Sequence, residues 1–203
     1  MQTEELGMPM SAEKKRMFTT RDLTLIGMLG GITMLLGLTG YGFVQLPFMK
    51  ATILHIPTII GAILAGPRVG MFVGLIFGGF SLMQNIMAPT LMSFAFLNPL
   101  VSVVPRMLLG PFAYIVYTVL PLKVQAWRVA ISAFLATLFH TATVLGMVYV
   151  LYAKEFAEMR NIPLDNVINI LVGIAATNGS AEAVVSTVIA VPVVLMVNKI
   201  FKR

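Results

Sequence analysis

The sequence predicts an all-α integral membrane protein with six transmembrane helices in one domain and both termini cytoplasmic. Three observations carry that reading. Of the 203 residues, 58% are hydrophobic and only 11% charged, and the mean hydropathy is +0.92. A soluble domain of this size would run out of polar surface. Breakers divide the apolar sequence into stretches near the ~20 residues that a helix needs to cross hydrocarbon. Finally, the 14 Lys and Arg side chains fall mostly on alternate connections, as cytoplasmic loops require.

Residues 1–21 are polar, with Lys14, Lys15, Arg16 and Arg21 leading into the first apolar run. They are expected to form a cytoplasmic N-terminal segment. The first apolar run lacks an A-x-A-like cleavage site and continues to full length, so it reads as a retained helix rather than a signal peptide. This first span covers 22–41. The second, 52–66, is short and contains Pro57, so it is expected to be tilted, broken or partly loop. Pro67 ends it, because the residue before a proline resists helical geometry. The third span covers 68–87 and the fourth 98–121. Pro121 and Lys123 divide the fourth from the fifth, at 124–152. The longest polar interruption, 154–165, precedes the sixth span at 166–199. Residues 22–203 thus form a single six-helix domain.

This order puts Lys14, Lys15, Arg16, Arg21, Arg68, Lys123, Arg128, Lys199, Lys202 and Arg203 on the cytoplasmic side. Lys50, Lys154 and Arg160 lie outside and Arg106 lies within a span. An odd number of spans would expose the basic C-terminus, against the positive-inside bias. The net charge of +6 therefore reflects topology, not nucleic-acid affinity. The outer connections 41–51 and 85–97 are rich in apolar residues; the second carries Leu91, Met92, Phe94, Phe96 and Leu97. It is expected to fold over the bundle as a lid.

Several chemistries are excluded. There is no cysteine, hence no disulfide or thiolate metal site. Two distant histidines make no metal centre. No H-E-x-x-H, G-x-S-x-G or Walker A sequence occurs. The chain is expected to be no enzyme, with no catalytic residue, metal or cofactor. Active transport would need energy from a partner or an ion gradient.

Four titratable side chains, His55, Arg106, His140 and Glu182, lie in these apolar stretches. Charge in hydrocarbon is costly, so such groups face a protein interior or polar cavity. Asn98, Ser102 and Arg106 are spaced by four, as are Asn178 and Glu182, a spacing that shares a helix face. Arg106 keeps its charge when buried and needs an anion: Glu182, or a ligand carboxylate or phosphate. Snorkelling toward the surface is the alternative. Glu182 follows Asn178-Gly-Ser180, which weakens the helix and leaves backbone groups free for a ligand; a buried packing carboxylate is the other reading. His140 fits ligand contact or an interhelical hydrogen bond, and His55, before Pro57, fits loop fixing. Gln84 and Asn85 suit hydroxyl, amide or ring-nitrogen partners, or the capping of a helix end. The candidate ligand set is Gln84, Asn98, Arg106, His140, Asn178 and Glu182.

Gly70, Gly74 and Gly78 make one face of the third span nearly bare, which permits close helix packing in lipid. Gly27 and Gly31 form a similar pair in the first span, for packing within the chain or docking onto another membrane subunit.

The strings His55-Ile-Pro-Thr-Ile-Ile-Gly-Ala-Ile-Leu-Ala-Gly-Pro-Arg-Val-Gly70, Gly74-Leu-Ile-Phe-Gly78 and Asn98-Pro-Leu-Val-Ser-Val-Val-Pro-Arg-Met-Leu-Leu-Gly110 resemble the substrate-binding S components of energy-coupling factor (ECF) vitamin transporters. The likeness runs from the first span to the end and is strongest to the pantothenate-type members. It implies a six-helix subunit of the cell membrane that captures a vitamin from outside with its first and third outer loops. It also implies a complex with a transmembrane coupling subunit and two cytoplasmic ATPases, docked through small residues of the first helix, here Gly27 and Gly31. For pantothenate, Arg106 would pair the carboxylate while Gln84, Asn98 and Asn178 meet amide and hydroxyl groups. Hydroxymethylpyrimidine and folate are alternative substrates. A self-contained proton-coupled carrier using Glu182 and His140 is the rival class, although such carriers usually show internal repeats and none stands out here.

Overall fold

The computed structural model describes residues 17–45, 50–90 and 92–201. Most of the expected cytoplasmic segment 1–21, the basic residues Lys202 and Arg203, and Leu91 of the expected lid lie outside the described residues. Helix α1 spans Thr20–Thr39. A capping box starts it: the Asp22 N–H donates to the Thr19 hydroxyl at 3.2 Å, and the Thr19 N–H to the Asp22 carboxylate at 2.9 Å. Gly40 ends it at φ +78°, a left-handed position that costs glycine nothing. Strands β1 (Phe43–Gln45) and β2 (Lys50–Thr52) then pair antiparallel, with Phe43 opposite Thr52.

Helix α2 is Ile56–Ala65, with Pro57 in its first turn, where a missing N–H leaves no partner unsatisfied. Its residues from Ile56 through Ile63 are all buried. A helix apolar all round belongs in the middle of a bundle, and α2 packs against α1, α3, α6 and α9. The remaining elements are α3 (Pro67–Met87), α4 (Ser93–Phe96), α5 (Pro99–Ser102), α6 (Val104–Val119) and α7 (Gln125–Arg160). After a 3₁₀ turn at Leu164–Asn166 come α8 (Val167–Ile174), a π-turn (Ala175–Gly179) and α9 (Ser180–Phe201). Apart from the short hairpin, the described chain is helical.

Five helical segments are long and apolar enough to cross a membrane: Thr20–Thr39, Pro67–Met87, Pro99–Val119, Gln125–Arg160 and Leu164–Ile200. This is a multi-pass membrane protein. The expected second span is the exception. Only the ten residues of α2 are helical there, roughly 15 Å or half a crossing, because Thr52 belongs to β2 and a turn at Leu54 and His55 separates it from the helix.

Two further expectations are corrected. The polar stretch 154–165, expected only as an interruption between spans, is helical over its first part: α7 continues to Arg160, with a break at Tyr152 (φ −138°, ψ 22°). Its charged residues stay exposed while Phe156 and Ala157 are buried, so the stretch is amphipathic helix. Nor do Asn98, Ser102 and Arg106 share one unbroken helix. Asn98 is the extended N-cap of α5 (φ −78°, ψ 120°), and the chain restarts at Val104 with Pro105 in the first turn of α6.

The glycine stripe does what its spacing predicts. A Cβ on Gly70 would lie 2.9 Å from the Gly110 Cα, and one on Gly78 2.7 Å from the Val103 Cα. On Gly74 it would clash with the Arg106 carbonyl oxygen. The backbones of α3 and α6 therefore touch, and that contact fixes the depth of Arg106. Gly27 and Gly31 behave differently. A methyl group added to either would have no neighbour within 4 Å, and the buried face of α1 is Leu29, Gly30, Thr33 and Gly37. Among the described residues nothing packs against this pair.

Two apolar clusters make up most of the core, beside smaller ones around Leu29 and Phe77. One joins α2, α6, the first half of α7 and α9 through Ile59, Leu109, Ala136 and Val194. The other joins α4, α5, the second half of α7 and α8 through Ala95, Val101, Val148 and Leu171.

Candidate functional site

A cavity of about 380 Å³ opens beside the second cluster. Its walls come from the hairpin (Phe43, Thr52), the end of α3 (Gln84, Asn85), the 85–97 segment (Ala88, Thr90, Met92, Phe96) and α6 (Arg106). The opposite side is α7 (His140, Thr141, Val144, Leu145, Arg160) and the last helical rod (Ile174, Asn178, Glu182). The connections 41–51 and 85–97, the second of them the expected lid, thus both contribute to it.

Arg106 is 6% exposed. Its guanidinium lies over Phe77 and Phe96, at 5.5 and 5.2 Å from the ring centroids. These faces attract a cation without neutralising it. Nη1 donates to the Val101 carbonyl at 2.7 Å, whereas Nε has no partner. Glu182 lines the same cavity but forms no salt bridge with Arg106 among the described residues. Its Oε1 instead accepts the Thr52 N–H at 2.6 Å. The carboxylate thereby ties the hairpin to α9.

His140 also reaches the cavity, 4% exposed, with both ring nitrogens unpartnered. The ring of His55 stacks on it at 5.9 Å and 15°. His55 is fully buried, and its Nε2 shares a hydrogen bond of 3.1 Å with the Thr137 hydroxyl. His55 therefore holds His140 rather than facing the cavity. Asn178 sits in the π-turn, buried, with its amide nitrogen unpartnered. A π-turn adds a residue to the helix and often marks a functional position. Here it carries Asn178 while Glu182 still lines the same cavity. Gly179 permits the close approach to α7, where a Cβ would meet Thr141 at 3.2 Å.

Gln84, Arg106, His140, Asn178 and Glu182 are thus brought together. Asn98 stands apart from the lining. Its Oδ1 caps α5 through the Leu100 N–H at 2.9 Å, and its amide donates to the Tyr152 hydroxyl at 3.0 Å. Ser102 is likewise occupied, by the Phe96 carbonyl. Asn85 braces the covering segment, accepting from the Ser93 hydroxyl at 2.7 Å and donating to the Ser81 carbonyl at 2.8 Å. Sequence reasoning missed Thr52, Thr141 and Arg160. Thr141 and Thr52 carried no signal. For Arg160, the apolar pair Phe156 and Ala157, four residues beyond Tyr152 and Ala153, marked a continuing helix.

Unpartnered buried polar groups are rare because each costs about 1–3 kcal/mol. Of the eight such atoms among the described residues, five (Arg106 Nε, both His140 nitrogens, Thr141 Oγ1 and Asn178 Nδ2) belong to residues that line one cavity; His55 Nδ1, Thr58 Oγ1 and Ser186 Oγ lie elsewhere. Apolar walls with a few polar groups aimed inward are the makings of a small-molecule site.

A family model described as "ECF transporter, substrate-specific component" matches residues 21–194. The chain belongs to this family of ECF transporter S components. The S component is also 28% identical, over 168 residues, to the pantothenic acid transporter PanT of Lactococcus lactis subsp. cremoris (strain MG1363). The match covers 75% of this chain and 81% of that protein. As a substrate-specific component, the chain is a binding subunit for transport.

Proposed function

We propose that this S component captures pantothenate from outside the cell and delivers it to an ATP-driven importer. The observation that carries the reading is Arg106. A buried guanidinium with an unpartnered Nε, lining an apolar-walled cavity and free of any salt bridge to Glu182 among the described residues, calls for an anion. Pantothenate has a carboxylate at one end, an amide in the middle and two hydroxyls at the other. Arg106 takes the carboxylate. Glu182, whose second oxygen is not used by Thr52, accepts from a hydroxyl, and Gln84, Asn178 and His140 serve the amide and the remaining hydroxyl. Asn98 supports this site through α5 and Tyr152. The relative from Lactococcus lactis points to the same vitamin.

In this reading α2 completes a sixth crossing. Three strand residues and ten helical ones span about 25 Å of the ~30 Å hydrocarbon depth, and the turn between them covers the rest. Both termini then share the cytoplasmic side, with residues 1–21 as a polar leader and 22–203 as one domain of the cell membrane. The hairpin and the 85–97 segment face outward. A transmembrane coupling subunit docks on the open face at Gly27 and Gly31, and two cytoplasmic ATPases supply the energy.

The test is binding by purified protein of pantothenate and of pantothenol, its neutral alcohol, before and after Arg106→Gln. A charge-assisted hydrogen bond is worth about 1.5–3 kcal/mol. The substitution therefore weakens the acid roughly tenfold to over a hundredfold and the alcohol little. Equal weakening of both makes Arg106 architectural. Tight binding of folate or hydroxymethylpyrimidine in place of pantothenate reassigns the substrate.

A further inference from the structure

Among the described residues three charged side chains line the cavity: Arg106, Glu182 and Arg160. The first two are buried or half-buried, whereas Arg160 is exposed and stands at the opening, in the last turn of α7. We propose that Arg160 is the steering charge of this site: it meets the anionic end of the incoming substrate at the mouth and raises its capture rate. The inference rests on the pantothenate reading above and adds a residue and a kinetic role to it.

The geometry fixes the position of this cation. Beyond the break at Tyr152, α7 runs eight more residues and ends at Arg160, which lines the cavity. Phe156, one turn before Arg160, is 1% exposed, and the guanidinium lies 5.7 Å from its ring centroid. The helix end is closed by Asn161 in the left-handed conformation (φ 50°) and by the Ile162 N–H donating to the Ala157 carbonyl at 3.0 Å. The side chain therefore projects from an anchored platform.

Its charge is not cancelled locally. No salt bridge to Arg160 exists among the described residues. The acidic residues on its own helix, Glu155 and Glu158, stand five and two positions away, and neither spacing brings side chains face to face. Glu182 across the cavity is engaged by Thr52. Two arginines against one carboxylate leave the lining with a positive balance. A charge in a low-dielectric mouth raises the local concentration of an opposite ion, whereas a rim charge seldom governs dissociation. Arg106 holds the anion; Arg160 brings it in. The plain alternatives are that Arg160 only complements the C-terminal end of the α7 dipole or only pairs with a lipid phosphate. Either would leave capture of acid and alcohol alike.

The experiment measures association and dissociation of pantothenate and pantothenol on the full chain in phosphatidylcholine nanodiscs, at low and high salt, by surface plasmon resonance. Arg160→Gln is expected to slow association of pantothenate about threefold to tenfold at low salt, to flatten its salt dependence, and to leave its dissociation rate within about twofold. Arg160→Glu slows it further, Arg160→Lys restores most of the loss, and pantothenol is indifferent to all three. Unchanged association of pantothenate overturns the inference. So does equal slowing of both ligands, or a change confined to dissociation. If the wild-type chain prefers the acid and Arg160→Gln does nothing, the steering role alone fails. If the wild-type chain shows no preference for the acid, the substrate reading fails and the steering role falls with it.

Discussion

An alanine at Gly74 sets one methyl group against the Arg106 carbonyl oxygen. The obstacle is backbone, so no rotamer change relieves it, and α3 and α6 must separate. Overpacking of this kind costs about 1–3 kcal/mol, and a backbone obstacle belongs near the upper end. Alanine returns about 0.5–1 kcal/mol through its better helix propensity. The net loss is therefore about 1–2 kcal/mol. Gly79, on the same helix, has nothing within 4 Å of its would-be Cβ, so Gly79→Ala shows only the gain. The two variants should differ by about 2–3 kcal/mol in unfolding from detergent micelles, read by chemical denaturation. Moving α6 also moves Arg106, so Gly74→Ala should lose about tenfold in pantothenate affinity, the size of one weakened charge-assisted hydrogen bond of about 1.5 kcal/mol. Gly79→Ala should bind normally. Equal stability and equal affinity in the two variants would refute the claim that the glycine stripe positions the site.

Glu182→Ala leaves the Thr52 N–H unpaired, at a cost of about 1–3 kcal/mol, and should speed amide exchange in strands β1 and β2 in hydrogen–deuterium mass spectrometry; Glu182→Gln keeps an acceptor there and should exchange nearly as slowly as the parent. His140→Phe removes two unpartnered buried nitrogens, so thermal stability without ligand should hold or rise while pantothenate affinity falls at least about tenfold, a trade expected of a site built for a guest. Gly27→Leu and Gly31→Leu meet open space; ligand binding should be unchanged, whereas co-purification with the coupling subunit and transport should be lost.

The long helices were legible because hydropathy and length report a crossing directly. Arg106, His140, Asn178 and Glu182 were legible for the same reason in reverse: a polar side chain in apolar sequence needs a cavity or a partner. What failed was reasoning that assumed unbroken helices. The four-residue spacing of Asn98, Ser102 and Arg106 looked like a shared face, but Pro99 and Pro105 restart the chain twice, and Asn98 went to capping. The charges of 154–160 read as a polar interruption because the adjacent buried pair Phe156 and Ala157 is faint beside them. Thr52 is invisible to any local pattern, since its role depends on a residue 130 positions away. Gly27 and Gly31 could be recognised as a small pair, but only the path of α1 shows which way they face.

The π-turn at Ala175–Gly179 has an evolutionary consequence. Such a turn is an α-helix with one residue too many, and removing that residue turns the preceding rod by about 100° relative to α9. One codon lost or gained there would exchange the side chain now held by Asn178 for a neighbour's. Helix α1, on the other side of the molecule, would keep its exposed face. A single indel thus offers a route by which one scaffold changes its cargo while keeping the surface it shows to the rest of the machine.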